Sequence, residues 1–165
     1  MRRFAWMGVV ALAGLASVSC NNALEGKEVF IATLSGGEEV PARPTGANGS
    51  AQIIVEGNQI TYAIEIDDIT AITASHIHAE PGAPGVNGPV RLFLYPPRQG
   101  DPAPQVTTSD KMILVEATVD SSGVNGISYE QLLTAMRTGN AYVNVHTVQF
   151  PAGEMRGTIR PQSLD

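Results

Sequence analysis

The stretch SAQIIVE at 50–56, GN at 57–58 and QITYAIEI at 59–66 decides how this chain folds. Ile60, Tyr62, Ile64 and Ile66 alternate with polar or small neighbours, the period-two pattern of a strand with one face buried. Gly57-Asn58 between the two runs is the chemistry of a two-residue hairpin turn. Working outward, similar runs occur at 29–34 VFIATL, 72–79 ITASHIHA, 90–95 VRLFLY, 112–119 MILVEATV, 141–147 AYVNVHT and 154–160 EMRGTIR. Eight short runs in about 130 residues, separated by Gly, Pro and Asn, predict a mostly-β sandwich or barrel with Greek-key-like connections. The Pro/Gly-rich stretches 41–49 and 96–104 read as surface loops.

One helix is predicted, over 128–138, ahead of the last two strands. Ser128 caps it, Gln131 three residues on completes a capping box, and Ile127 with Leu132 stands at staple spacing. Leu132, Leu133 and Met136 form its apolar stripe, read as core packing, and Gly139-Asn140 ends it.

Ahead of the strands, Met1-Arg2-Arg3 leads into the apolar run Phe4 to Ala16 and then Ser17-Val18-Ser19-Cys20. Two arginines, an apolar run and a small-residue exit are the parts of an export signal, assigned to residues 1–19. The run is too short for a membrane-spanning helix. Cys20, the only cysteine, stands where a bacterial lipoprotein signal carries its lipidated residue, although Ser17 replaces the usual leucine. Ordinary cleavage nearby is the alternative. The expectation is an exported protein facing the periplasm or cell surface through a lipid anchor on Cys20, or secreted. Residues 20–28 form a polar tether, and 29–162 a single domain.

Without residues 1–19 the net charge goes from −6 to −8. An acidic domain with no basic clusters argues against a nucleic-acid partner. A single cysteine rules out an intrachain disulfide, so the core must hold the fold unaided.

Chemistry points to the chain's three histidines, His76, His78 and His146. His76 and His78, two apart on a strand, project from one face, so two imidazoles converge without bending the backbone. In 141–147, Val143 and Val145 take one face, and Tyr142, Asn144 and His146 the other. A turn through 148–152 would return the chain antiparallel, setting Asn144 opposite Arg156, Val145 opposite Met155 and His146 opposite Glu154. Three imidazoles with a carboxylate suit zinc or copper better than calcium or magnesium. Glu154 would ligate, or orient His146 through its other ring nitrogen. Binding is expected to weaken below about pH 6, as imidazoles near their reference pKa of ~6.5 take protons. The bland alternative is three exposed or hydrogen-bonded histidines.

Three segments in order, 33–41 TLSGGEEVP, 74–90 ASHIHAEPGAPGVNGPV and 141–157 AYVNVHTVQFPAGEMRG, resemble the chordin-type (CHRD) domain of chordin and many exported bacterial proteins. The resemblance implies a β-sandwich related to copper/zinc superoxide dismutase, whose strands also carry an H-x-H pair and later histidines for copper. It thereby strengthens the metal reading for His76, His78 and His146. It does not carry dismutase activity, because a fourth histidine and the intersheet cysteine pair are missing. Glu39 of the EVP motif matches a family position; a turn-stabilising role is favoured over one at the site. Asn87 and the glycines of 82–88 shape a tight loop beside the histidines, and Asn144 and Arg156 brace it.

Hydrolase chemistry finds no support. Ser75 adjoins His76 in sequence, but neighbours on a strand face opposite ways and cannot form a nucleophile–base pair. No P-loop, dinucleotide fingerprint or H-E-x-x-H occurs. Redox chemistry at a single copper is the one enzymatic option left; the reading as a whole is of a metal-handling or interaction-locking domain, with a metal-free interaction module as runner-up.

Overall fold

The hairpin forms as its alternation dictates. In a computed structural model, which describes residues 26–79 and 86–162, β2 (Asn48–Glu56) and β3 (Gln59–Asp67) pair from Asn48↔Asp67 to Glu56↔Gln59. Gly57 turns the chain with φ 59, the positive value a primed hairpin turn needs at its first central residue. Ile60, Tyr62, Ile64 and Ile66 are all buried. The export signal, Cys20 and the start of the tether lie outside the described residues.

Around this hairpin stand β1 (Lys27–Ser35), β4 (Ile69–Ala79), β5 (Val90–Tyr95), β6 (Val106–Thr108), β7 (Met112–Asp120), β8 (Ala141–Thr147), β9 (Met155–Thr158) and β10 (Arg160–Pro161). Their order is β5-β4-β8-β9-β1-β2-β3-β7, antiparallel throughout, with β6 beside β4 and β10 beside β1. The end strands β5 and β7 draw together without pairing. Asn125, just past β7, donates its N–H to the Arg91 carbonyl of β5 at 2.8 Å, and the Tyr62 hydroxyl donates to the Leu94 carbonyl at 2.9 Å. The result is the nearly closed β-sandwich or barrel that the strand pattern predicts.

The chain passes from one half to the other between β3 and β4, where Asp68 (φ 50) takes left-handed backbone, as does Ala71 (φ 55) just inside β4. All eight expected runs are strands, with two refinements. The run 154–160 divides into two strands: β9 pairs with β8 and with β1, and β10 pairs with β1. A short strand, β6, lies in a stretch with no strand signal, held on β4 by Ile69↔Thr108 and Ile72↔Val106.

Helix α1 (Tyr129–Thr138) has the predicted ends. The Ser128 hydroxyl accepts the Gln131 N–H at 3.2 Å, and the Gln131 side chain accepts the Ser128 N–H at 2.8 Å. Gly139 closes the helix at φ 73. Leu132, Leu133 and Met136 join the core with Phe30, Ile53, Ile77 and Val143. No helix among the described residues is long and apolar enough to cross a membrane.

Candidate metal centre

Strands β4 and β8 lie side by side, with His76 opposite Asn144, His78 opposite Tyr142, and Ala74 opposite His146. On the inward face of the same strands, Ile77, Val143 and Val145 are fully buried. Ser75 is buried there too, its hydroxyl donating to the Asn144 carbonyl at 2.9 Å, away from the His76 ring. The histidines therefore occupy the outward face, yet loops from 36–47, 86–89 and 148–154 cover it. His78 keeps only 9% of its surface exposed and Asn144 3%.

Those loops decide which nitrogen of each ring is free. His78 Nδ1 bonds the Gly88 carbonyl at 2.8 Å, and His146 Nδ1 bonds the Pro151 carbonyl at 3.0 Å. A carbonyl only accepts, so both rings carry their proton on Nδ1 and leave Nε2 unprotonated, and on His146 that Nε2 accepts from His76 Nδ1. Nε2 of His146 lies 3.1 Å from Nδ1 of His76. Nε2 of His78 is buried with no hydrogen-bond partner. One nitrogen from each ring lies within 4.8 Å of the others. Ligand nitrogens 2.0–2.1 Å from a tetrahedral zinc stand about 3.3 Å apart, so the His76–His146 pair already has ligand spacing.

The rings are also held in plane. His76 meets Phe93 edge-on at 4.9 Å, and His78 stacks on Tyr142 at 4.9 Å with 7° between planes. The Arg156 guanidinium lies 4.1 Å over the Tyr142 ring. Burial lowers the pKa of all three histidines, and mutual repulsion with His146 and His78 brings His76 down to about 3. At neutral pH all three are uncharged, the form that ligates a metal.

Glu154 does not join them. The β8–β9 register is the expected one, with Asn144↔Arg156 and Val145↔Met155. Just ahead of β9, however, Gly153 takes φ 126 and breaks the alternation. The Glu154 carboxylate instead accepts the Thr45 and Thr147 hydroxyls, each at 2.6 Å. The close cluster of potential ligands is the three histidines, and the Pro151 carbonyl is the partner of His146 Nδ1.

Glu39 reaches further than its own turn. Its Oε1 accepts the Asn144 side-chain N–H at 2.5 Å, and burial raises its pKa against the opposing pull of Arg156 and Arg43. A Cβ on Gly153 would sit 2.4 Å from Asn144 Nδ2 and 2.6 Å from Glu39 Oε1, so glycine keeps this contact open. Asn87 donates to the Val40 carbonyl at 2.9 Å and accepts from Arg156 at 3.2 Å. Residues 80–85 of that loop lie outside the described residues.

Tyr142, Phe93 and the Gly88 and Pro151 carbonyls escaped the sequence reading. Tyr142 could have been found as the cross-strand neighbour of His78, had the β4–β8 pairing been known; backbone carbonyls leave no sequence signal. A surface cleft of about 470 Å³ between β7 and the loop after β5 contains none of these groups.

No curated protein and no solved structure matches the chain. A family model does match, that of the CHRD domain, and it spans residues 30–159, from β1 to the residue between β9 and β10. With three separated motifs and the histidine strands all inside that span, the chain belongs to the CHRD domain family.

Proposed function

We propose that this extracellular-type domain binds one zinc or copper ion through His76, His78 and His146, and that the ion locks the loops around it into a fixed surface. The observation that carries the reading is the bare, buried Nε2 of His78 beside two further imidazole nitrogens. A buried acceptor without a partner is costly, and a metal would satisfy it. The second nitrogens of His78 and His146 hold the Gly88 and Pro151 carbonyls. An ion on the first nitrogens would therefore tie segments 86–88 and 148–153 to β4 and β8. Val40, Val86 and Val148, all substantially exposed on these loops, offer an apolar rim to a partner. In this reading the ion acts as a clamp or as cargo.

Metal analysis and calorimetry of the mature protein purified from the periplasm test this. About one Zn(II) or Cu(II) per chain is expected, and His78→Ala should lose most of the affinity while leaving the fold intact. A triple alanine variant that binds as well as wild type would reject the reading. Export and anchoring belong to the same proposal: Cys20→Ala should leave the membrane fraction, since lipid chains on Cys20 would be its hold on the bilayer. A membrane fraction unchanged by that substitution rejects the anchor.

A second reading, a metal-free interaction module, is favoured by the His76–His146 hydrogen bond of 3.1 Å, which partly satisfies the cluster without an ion. The same calorimetry separates the two.

A further inference from the structure

An imidazole on a strand can rotate about its χ2 bond and can carry its proton on either nitrogen, so a histidine alone does not specify its ligand atom. At His78 both choices run through one neighbouring side chain. The Tyr142 ring stacks on the imidazole with 7° between planes. Because β8 lies between β4 and β9, that ring stands between His78 and the Arg156 guanidinium, which lies over it at 4.1 Å. The Tyr142 hydroxyl also accepts the Gly88 N–H at 3.1 Å, and the carbonyl of the same glycine accepts Nδ1–H of His78 at 2.8 Å. Tyr142 thus fixes the ring plane directly and, through Gly88, the position of the proton.

We propose that Tyr142 is the positioning residue that selects Nε2 of His78 as the ligand atom, a role that rests on the proposed metal site for its purpose but not for its test. Positioning partners of metal ligands typically control affinity by ten- to a hundredfold. Tyr142→Phe keeps the stack and removes the hydroxyl that holds Gly88. Tyr142→Leu removes both.

The test is ¹⁵N NMR of histidine-labelled, metal-free protein, read beside zinc titration. In the wild type, His78 should show one tautomer, protonated on Nδ1. Tyr142→Phe should convert it to a mixture and weaken zinc binding about tenfold; Tyr142→Leu should weaken it up to about a hundredfold. Should the leucine variant fail to fold, the phenylalanine variant decides alone. A single Nδ1–H tautomer in Tyr142→Phe, with unchanged zinc affinity, overturns the proposal and leaves Tyr142 as packing. If the wild type binds no zinc, the metal reading fails, while the tautomer comparison still judges Tyr142.

Discussion

At the scale of single residues, burial of the three histidines has a consequence of definite sign. In the unfolded chain each takes a proton near pH ~6.5. In the fold all three are held below that value, His76 at about 3. Between those limits the unfolded chain binds protons that the folded one refuses. Their contribution to stability is therefore level above about pH 6.5 and falls as the pH drops toward 3, by at most about 1.4 kcal/mol per unit for His76. Glu39 works the other way, because its raised pKa lets the fold keep a proton longer. Urea unfolding of metal-free wild type and His76→Gln between pH 7 and 4 isolates the histidine part. A wild-type curve no steeper than the variant's would refute a buried neutral imidazole at position 76.

At the scale of elements, the helix offers the cleanest test because its ends are built from local chemistry. Ser128→Ala removes the acceptor for the Gln131 N–H and should cost about 1 kcal/mol. Gly139→Ala should cost about the same by a different route. Its Cβ would meet nothing nearer than 3.7 Å, so only the left-handed backbone at φ 73 opposes it. Denaturant midpoints measure both, and a neutral Gly139→Ala would mean the helix ends by fraying. The β2–β3 hairpin was legible for the same reason: alternation and turn residues lie within two adjacent runs.

For the whole molecule, the weak places are where the two halves of the barrel meet. One junction is β9 against β1, where a Cβ on Gly157 would lie 2.1 Å from the Thr33 carbonyl oxygen. Gly157→Ala must push these strands apart and should destabilise the domain by about 3 kcal/mol. It should also weaken metal binding, since β9 supports β8 and His146. Unfolding and zinc titration of one preparation would show whether the two losses travel together; intact stability would mean the strands part without cost. The other junction is the Tyr62 hydroxyl on the Leu94 carbonyl, so deeply buried that the phenol pKa is pushed up to about 12. Tyr62→Phe should cost about 1–2 kcal/mol, the loss expected when a buried carbonyl loses its donor.

The amino-acid sequence by itself determined what near neighbours along the chain can decide. Side-chain alternation marked the eight long strands, Ser128, Gln131 and Gly139 marked the helix, and the spacing of His76 and His78 put both rings on one face. The β8–β9 register was legible too, because a short turn joins the strands and their apolar faces agree. Tertiary structure alone decided what depends on distant segments meeting. It set β4 beside β8, bringing His146 to 3.1 Å from His76 across 70 positions of chain. It also laid three loops over a face that the alternation marked as polar, so that backbone carbonyls chose the tautomers and burial kept the rings neutral. Glu154 shows the boundary between the two. Its place opposite His146 follows from register, but Gly153 turns the backbone there, and threonines 45 and 147 offered its buried carboxylate two hydroxyl donors. Pattern specifies which face of a strand a side chain takes; the partners it meets there depend on packing contributed by residues far away in the chain.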